Sequence, residues 1–145
     1  MAAKLGNPVV SSAMQEELVR LGSAISEKKG TVLFRRGDAV HGLYLVRSGR
    51  VSLSLSEEAP ALPTRIAGAG SVVGLPGTVA GTAYSLMAEV IEDAELVFVA
   101  RAEVIECLQR NQALCFEVMD LLSAEISGAR AALKQGTGGG RLQRT

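Results

Sequence analysis

The chain holds one histidine, His41, and two cysteines, Cys107 and Cys115, so chemistry that needs converging imidazoles or thiolates has little to draw on. A histidine-ligated metal centre needs two or three such side chains, and His41 reads instead as an exposed turn residue. No Ser-His-Asp or Cys-His arrangement can be assembled, because no elbow-like or helix-borne nucleophile motif lies near His41. Cys107 and Cys115 lie eight apart without CxxC or CxxH spacing, on apolar helix faces where a free thiol behaves as a small hydrophobe. No cysteine precedes position 107, so an iron–sulfur cluster near the N-terminus has no ligands. Haem could be held only through His41 or Cys115. The expectation is a protein without metal, cofactor or catalytic activity. What remains is binding chemistry. Arg35, Arg36, Arg47 and Arg50 gather around two turns, which suits either a basic patch or solvated turn charges balanced by Asp38 and nearby Glu residues. The stretch Leu75 to Tyr84 is rich in Gly, Ala, Val and Thr, which suits either an apolar pocket or a filled core.

The elements that must position these residues are bounded first by composition. At 145 residues, 48% apolar and 21% charged, the chain is long enough to bury a core as one ordinary globular domain. Lys plus Arg total 15 and Asp plus Glu total 15, which removes the broad basic field that non-specific nucleic-acid binding requires. No apolar run approaches the roughly 20 residues that span a bilayer. Met1 to Val10 lacks the apolar core of a signal peptide, and two cysteines are too few for a disulfide scaffold. A reduced, cytoplasmic protein without membrane contact is expected.

Nine of the sixteen glycines fall between Gly30 and Gly81 and none between Thr82 and Ser127, so the two regions call for different structure. From Thr31 to Ala100, short β-rich runs recur between breaks: Thr31 to Phe34, Leu43 to Arg47, Val51 to Leu55, Leu86 to Ile91 and Leu96 to Val99. Val51, Leu53 and Leu55 alternate with Ser52, Ser54 and Ser56, which predicts a strand with one buried and one wet face. Arg47-Ser-Gly-Arg50 predicts a hairpin with Gly49 at positive φ. Pro60 and Pro63 bracket a looser connection.

Ser11-Ser12 can cap a helix from Ala13 to Ile25, with Glu16 and Glu17 in its first turns and Gly22 weakening its end. Ala102 to Leu108 reads as a short helix and Gln112 to Leu133 as a long one. Leu114, Val118, Leu121 or Leu122, Ile126, Ala129 and Leu133 form a stripe at helical spacing, accompanied by Cys115 and Met119. So long a stripe needs a partner: it either packs wholly within the chain, part of it lying on the strand domain, or meets the equivalent helix of a second chain. Gly136 to Gly140 reads as a hinge. The fold class is mainly β with flanking helices: a small jelly-roll β-barrel, with a β-sandwich as the alternative, followed by a long C-terminal dimerisation helix. The expected organisation is a helical segment over 1–29, a jelly-roll barrel over 30–100, the short and long helices over 101–135, and a flexible hinge over 136–145.

These motifs resemble the cyclic-nucleotide-binding-like sensor domain of the catabolite-activator and fumarate-nitrate-regulator family. Gly30-Thr-Val-Leu-Phe34-Arg-Arg-Gly37-Asp38 is similar to the family's opening strand and turn, and Leu43-Tyr-Leu-Val-Arg-Ser-Gly49-Arg-Val51 to its second hairpin. Gly70-Ser-Val-Val-Gly74 stands where the strand leads into the phosphate-binding cassette, and Leu121 to Gly128 looks like the dimer helix. In nucleotide-binding members a Gly-Glu pair, a short helix and an Arg-Ser pair hold the ligand. Backbone N–H groups and the Arg fork neutralise the cyclic phosphate, and the Glu holds the ribose hydroxyl. Here Gly74 remains and Pro76 suits the start of the short helix, but Leu75 stands at the Glu position. Ser85 is kept, while Tyr84 stands where the Arg is expected. Ala129 and Arg130 stand where hydroxyls would contact the base. A buried charge-assisted contact is worth roughly 1.5–3 kcal/mol, so losing both partners weakens cyclic AMP binding by about a hundredfold or more.

The resemblance implies the effector-sensing, dimerising part of a bacterial transcription regulator, a homodimer answering to a small-molecule effector. Its expected pocket residues are Gly74, Leu75, Tyr84 and Ser85, and its expected dimer residues Leu122, Ile126, Ala129 and Leu133. DNA would be met only through a helix-turn-helix domain absent from this chain, which runs to Thr145 and in which Arg141-Leu142 resembles the start of a connector helix. Two other readings stay open: a ligand-free dimerisation or interaction module with a filled pocket, and an atypical cyclic-nucleotide sensor that holds phosphate through backbone N–H groups and Ser85.

Overall fold

A computed structural model describes residues 6–55 and 63–123. The chain divides into two compact units, Met1–Arg110 and Asn111–Thr145. In the first, Ser11 caps helix α1 (Ser12–Leu21), its hydroxyl accepting the Met14 N–H at 3.1 Å. The helix stops earlier than its periodicity suggests. Gly22 lies so close to the Phe98 carbonyl that a Cβ would sit 2.5 Å from it, and the next five residues are strand rather than helix. Strand β1 (Ser23–Glu27) pairs antiparallel with residues 94–98, so sheet pairing overrides local helical propensity. Glu16 and Glu17 fall outside the first turn of α1, and Glu17 instead pairs with Arg20 at 2.7 Å.

The other strands are β2 (Val32–Phe34), β3 (Gly42–Ser54), β4 (Pro63–Ala67), β5 (Val72–Val73) and β6 (Met87–Ala100), with helix α2 (Leu75–Ala80) before β6 and α3 (Arg101–Arg110) after it. β3 and β6 form an antiparallel spine. Around the end of the spine near Leu45 and Val97 lie β5 and β1, and around the end near Leu53 and Ala88 lie β4 and β2. Val46 and Leu96 from one end, and Val51, Leu53, Ala88 and Val90 from the other, meet in a single buried cluster. The fold is therefore mainly β with flanking helices, as its strand pattern predicts, but the six-stranded sheet stays open: among the described residues β1 and β4 do not pair.

The predicted hairpin at Arg47–Arg50 is not a turn. β3 runs straight through it, with register shifts between Val46 and Val51, and Gly49 holds φ +85° inside the irregular stretch. The positive φ that suggested a reversal serves a bulge, which lets one strand bend and keep pairing with β6. For the same reason the two runs expected at Leu86–Ile91 and Leu96–Val99 are one continuous strand. The wet serine face is also corrected: Ser52 and Ser54 are 9% and 6% exposed, while Leu55 is 54% exposed. Pro63 opens β4, a strand absent from the sequence expectation, and Pro60 lies outside the described residues.

Three polar ties at Asn7 position the sheet edge near α2. Asn7 donates to Ser71 Oγ at 2.6 Å and to the Val72 carbonyl at 2.9 Å, and accepts from Arg65 at 3.0 Å. Ser71 is fully buried, so this side-chain amide supplies the partner its hydroxyl needs. In the second unit, the Asn111 side chain caps a helix over 112–123 by accepting the Leu114 N–H at 3.0 Å.

Candidate functional site

The site begins at Gly74, which leaves β5 with φ +90° and caps α2. Only a residue without a Cβ suits this position, since a Cβ would meet the Tyr84 ring at 3.2 Å and strain the backbone besides. Leu75 follows as the first residue of α2 and is buried, with Pro76 beside it in the first turn. Thr78 is fully buried and its hydroxyl donates back to the Gly74 carbonyl at 2.7 Å, which holds the short helix against its own cap.

Tyr84 lies in the loop between α2 and β6 and is 4% exposed. Its ring stacks on Phe34, centroids 3.7 Å apart and planes 9° from parallel. The hydroxyl donates to the Gly42 carbonyl at 2.7 Å and accepts the His41 and Gly42 N–H groups at 3.3 Å each. Its backbone is held as well, with Tyr84 N–H on the Asp38 carbonyl and Gly37 N–H on the Tyr84 carbonyl. Tyr84 thus fastens the turn at 37–38, the start of β3 and the head of α2. Tyr44 and Phe98 extend the aromatic cluster, their centroids 5.1 Å apart. Burial, with lesser contributions from Tyr84 and Glu27, pushes the Tyr44 phenol above its usual value.

Of the four expected pocket residues, Gly74, Leu75 and Tyr84 come together, whereas Ser85 is exposed. Within this corner the Tyr84 ring is covered by Phe34, and the Gly42 carbonyl and the His41 and Gly42 N–H groups are all engaged by the Tyr84 hydroxyl. Of the four expected dimer residues, Leu122 is half-buried at the end of the described helix, and Ile126, Ala129 and Leu133 lie outside the described residues. Along 112–123, Leu114 and Val118 are buried while Phe116 and Met119 are 55% and 54% exposed. The stripe read from spacing therefore divides, and Met119 lies apart from Leu114 and Val118.

His41 is exposed, as its turn position suggests, but its backbone matters: its N–H meets Tyr84 and its carbonyl accepts the Arg101 N–H at 2.9 Å. Cys107 is buried and its thiol is pushed up chiefly by that burial; Cys115 is half-buried. Among the described residues no group of three His, Cys, Asp or Glu side chains could hold a metal. No described helix is long and apolar enough to cross a membrane.

Sequence reasoning missed Phe34 and Arg101. Phe34 gave no signal, because its partner Tyr84 is brought to it only by the fold. Arg101 did give one: a cation in the first turn of a helix sits at the unfavourable end of the helix dipole, which points to an acceptor outside its own helix. That acceptor is α2. Arg101 Nε donates to the Thr78 carbonyl at 2.8 Å, and Nη2 to the Val79 carbonyl at 3.4 Å.

Residues 25–111 match the family model for the cyclic nucleotide-binding domain. The chain is 29% identical over 128 residues to the anaerobic regulatory protein of Bacillus subtilis, covering 87% of this chain and 54% of that relative, about half its length. The catabolite activator protein of Thermus thermophilus has a similar fold, with a TM-score of 0.75 at 21% identity over 87% of this chain and 60% of that one. So does the c-di-GMP responsive global regulator of Xanthomonas campestris, with a TM-score of 0.71 at 20% identity over 88% of this chain and 65% of that one.

Proposed function

Because this chain belongs to the cyclic nucleotide-binding domain family, we propose that it is the effector-sensing and dimerising part of a bacterial transcription regulator whose cassette does not use the cyclic-nucleotide chemistry. The family is one of binding domains rather than enzymes, and the named relatives are regulators. Gly74, Leu75, Tyr84 and Ser85 form the effector corner. Met119, Leu122, Ile126, Ala129 and Leu133 follow the alternating three-and-four spacing of a coiled-coil seam and join a second copy of the chain. DNA is contacted through a helix-turn-helix domain outside these residues, consistent with a formal net charge of zero.

The observation that carries this reading is the state of Tyr84. A phosphate-binding Arg at this position would reach toward the ligand, whereas Tyr84 is buried against Phe34 with its hydroxyl committed to Gly42. Leu75, also buried, cannot hold a ribose hydroxyl. Calorimetric titration of the folded chain with cyclic AMP and cyclic GMP tests it. No heat at millimolar ligand is expected; micromolar binding would overturn the reading in favour of a nucleotide sensor that uses backbone N–H groups and Ser85. The same satisfied state of Tyr84 also favours a second reading, a ligand-free dimerisation module, in which a wider effector screen shifts neither melting temperature nor dimer affinity.

A further inference from the structure

α2 is short, and a helix of this length leaves most of its carbonyls without partners of its own. The Gly77 carbonyl accepts the Gly81 N–H at 2.7 Å. The next two are taken by one side chain from a different element, the Arg101 guanidinium, which lies across Gly81 so closely that a Cβ there would fall 2.6 Å from Nη2. Arg101 is itself immobilised, because its backbone N–H donates to the His41 carbonyl. The peptide at 41–42 is in turn held by the Tyr84 hydroxyl. A chain of hydrogen bonds thus runs from the head of α3 through the start of β3 to the loop that follows α2, and Arg101 closes it on α2.

We propose that Arg101 is the positioning residue of the candidate site: it fastens the C-terminal end of α2 to the first residue of α3, so that displacement of the cassette helix is carried into α3. The proposal rests on reading α2 as the cassette helix. A guanidinium suits the role because its planar fork reaches two adjacent carbonyls at once, and its charge opposes the negative end of α2.

Hydrogen exchange on the full chain tests it without any ligand, so its outcome is independent of the nucleotide titration. In Arg101→Met the amides of Thr78 and Gly81, which close α2, are expected to exchange about tenfold faster, the effect of losing a hydrogen bond to a charged group. The Val46 and Val90 amides, which bond within the β body, keep their protection. Arg101→Lys, which retains the charge but not the fork, is expected to show the same selective effect at smaller size, and decides the matter if the Met variant does not fold. Unchanged exchange at Thr78 and Gly81, or a loss spread equally to Val46 and Val90, would overturn the proposal, the second outcome marking a general structural role.

Discussion

Tyr84 changes what its position can do. A phenol carries no charge at neutral pH, so it cannot neutralise a phosphate, but its ring can fill apolar space and its hydroxyl can both give and accept. Here it does all of these within the chain. Tyr84→Phe keeps the stack on Phe34 and removes the donor to Gly42, leaving a buried carbonyl unsatisfied. A loss of about 1–3 kcal/mol is expected in urea unfolding, with the fold unchanged by circular dichroism. Ser85→Ala, at an exposed position, is expected to stay within about 0.5 kcal/mol of the parent. The type of residue at 84 is legible in the chain, as is its difference from an arginine. Its burial is not, because Phe34 and Gly42 reach it only through tertiary contact.

The long strands β3 and β6 explain why turn residues misled. Gly49 has the sequence signature of a reversal, yet a Cβ there would run into the Asp93 carbonyl and Ala94 of the neighbouring strand. Positive φ and close approach combine at this one residue. Gly49→Ala is expected to cost at least about 1–3 kcal/mol and to lower the urea midpoint, well beyond a surface Gly→Ala change. The elements also set the alkaline limit of stability. Burial on α3 raises the Cys107 thiol above 9.0, and burial on β3 raises the Tyr44 phenol above 10.0. The folded protein holds both protons more tightly than the unfolded chain, so their contributions are whole below those ordinary values and lost as pH rises through the folded ones. Unfolding free energy should therefore fall above about pH 9, and Cys107→Ala should blunt the first part of that fall. At the acid side the half-buried Glu17, lowered by its hydrogen bond to Arg20, acts in the opposite sense: its contribution is present above 4.5 and lost as pH falls through the lowered value.

At the scale of the molecule, one β body carries the candidate corner and a separate unit carries the helix with exposed Phe116 and Met119. Two large apolar side chains on one helical face are costly to leave in water, and in the proposed dimer the same helix of a second copy covers them symmetrically. Light scattering of the intact chain is expected to give a dimer, and Ile126→Glu, which would place a charge in the seam, a monomer. A variant that stays dimeric removes Ile126 from the interface. Met119→Glu, at the described end of the same spacing, should weaken the dimer in the same direction.

The chain alone determined the things that depend on local order and residue type: a β body followed by helices, the glycine at the head of α2, a leucine at 75 and a tyrosine at 84, and an inventory of one histidine and two cysteines. These follow from periodicity, from positive φ and from the inventory of side chains, none of which needs a partner distant in sequence. Tertiary structure decided the rest. Whether residues 23–25 extend a helix or join β6, whether Gly49 turns or bulges, whether Ser52 and Ser54 are wet, and what Tyr84 and Arg101 touch are all settled by groups far along the chain. Pairing and burial are properties of two surfaces, and a single stretch of sequence specifies only one of them.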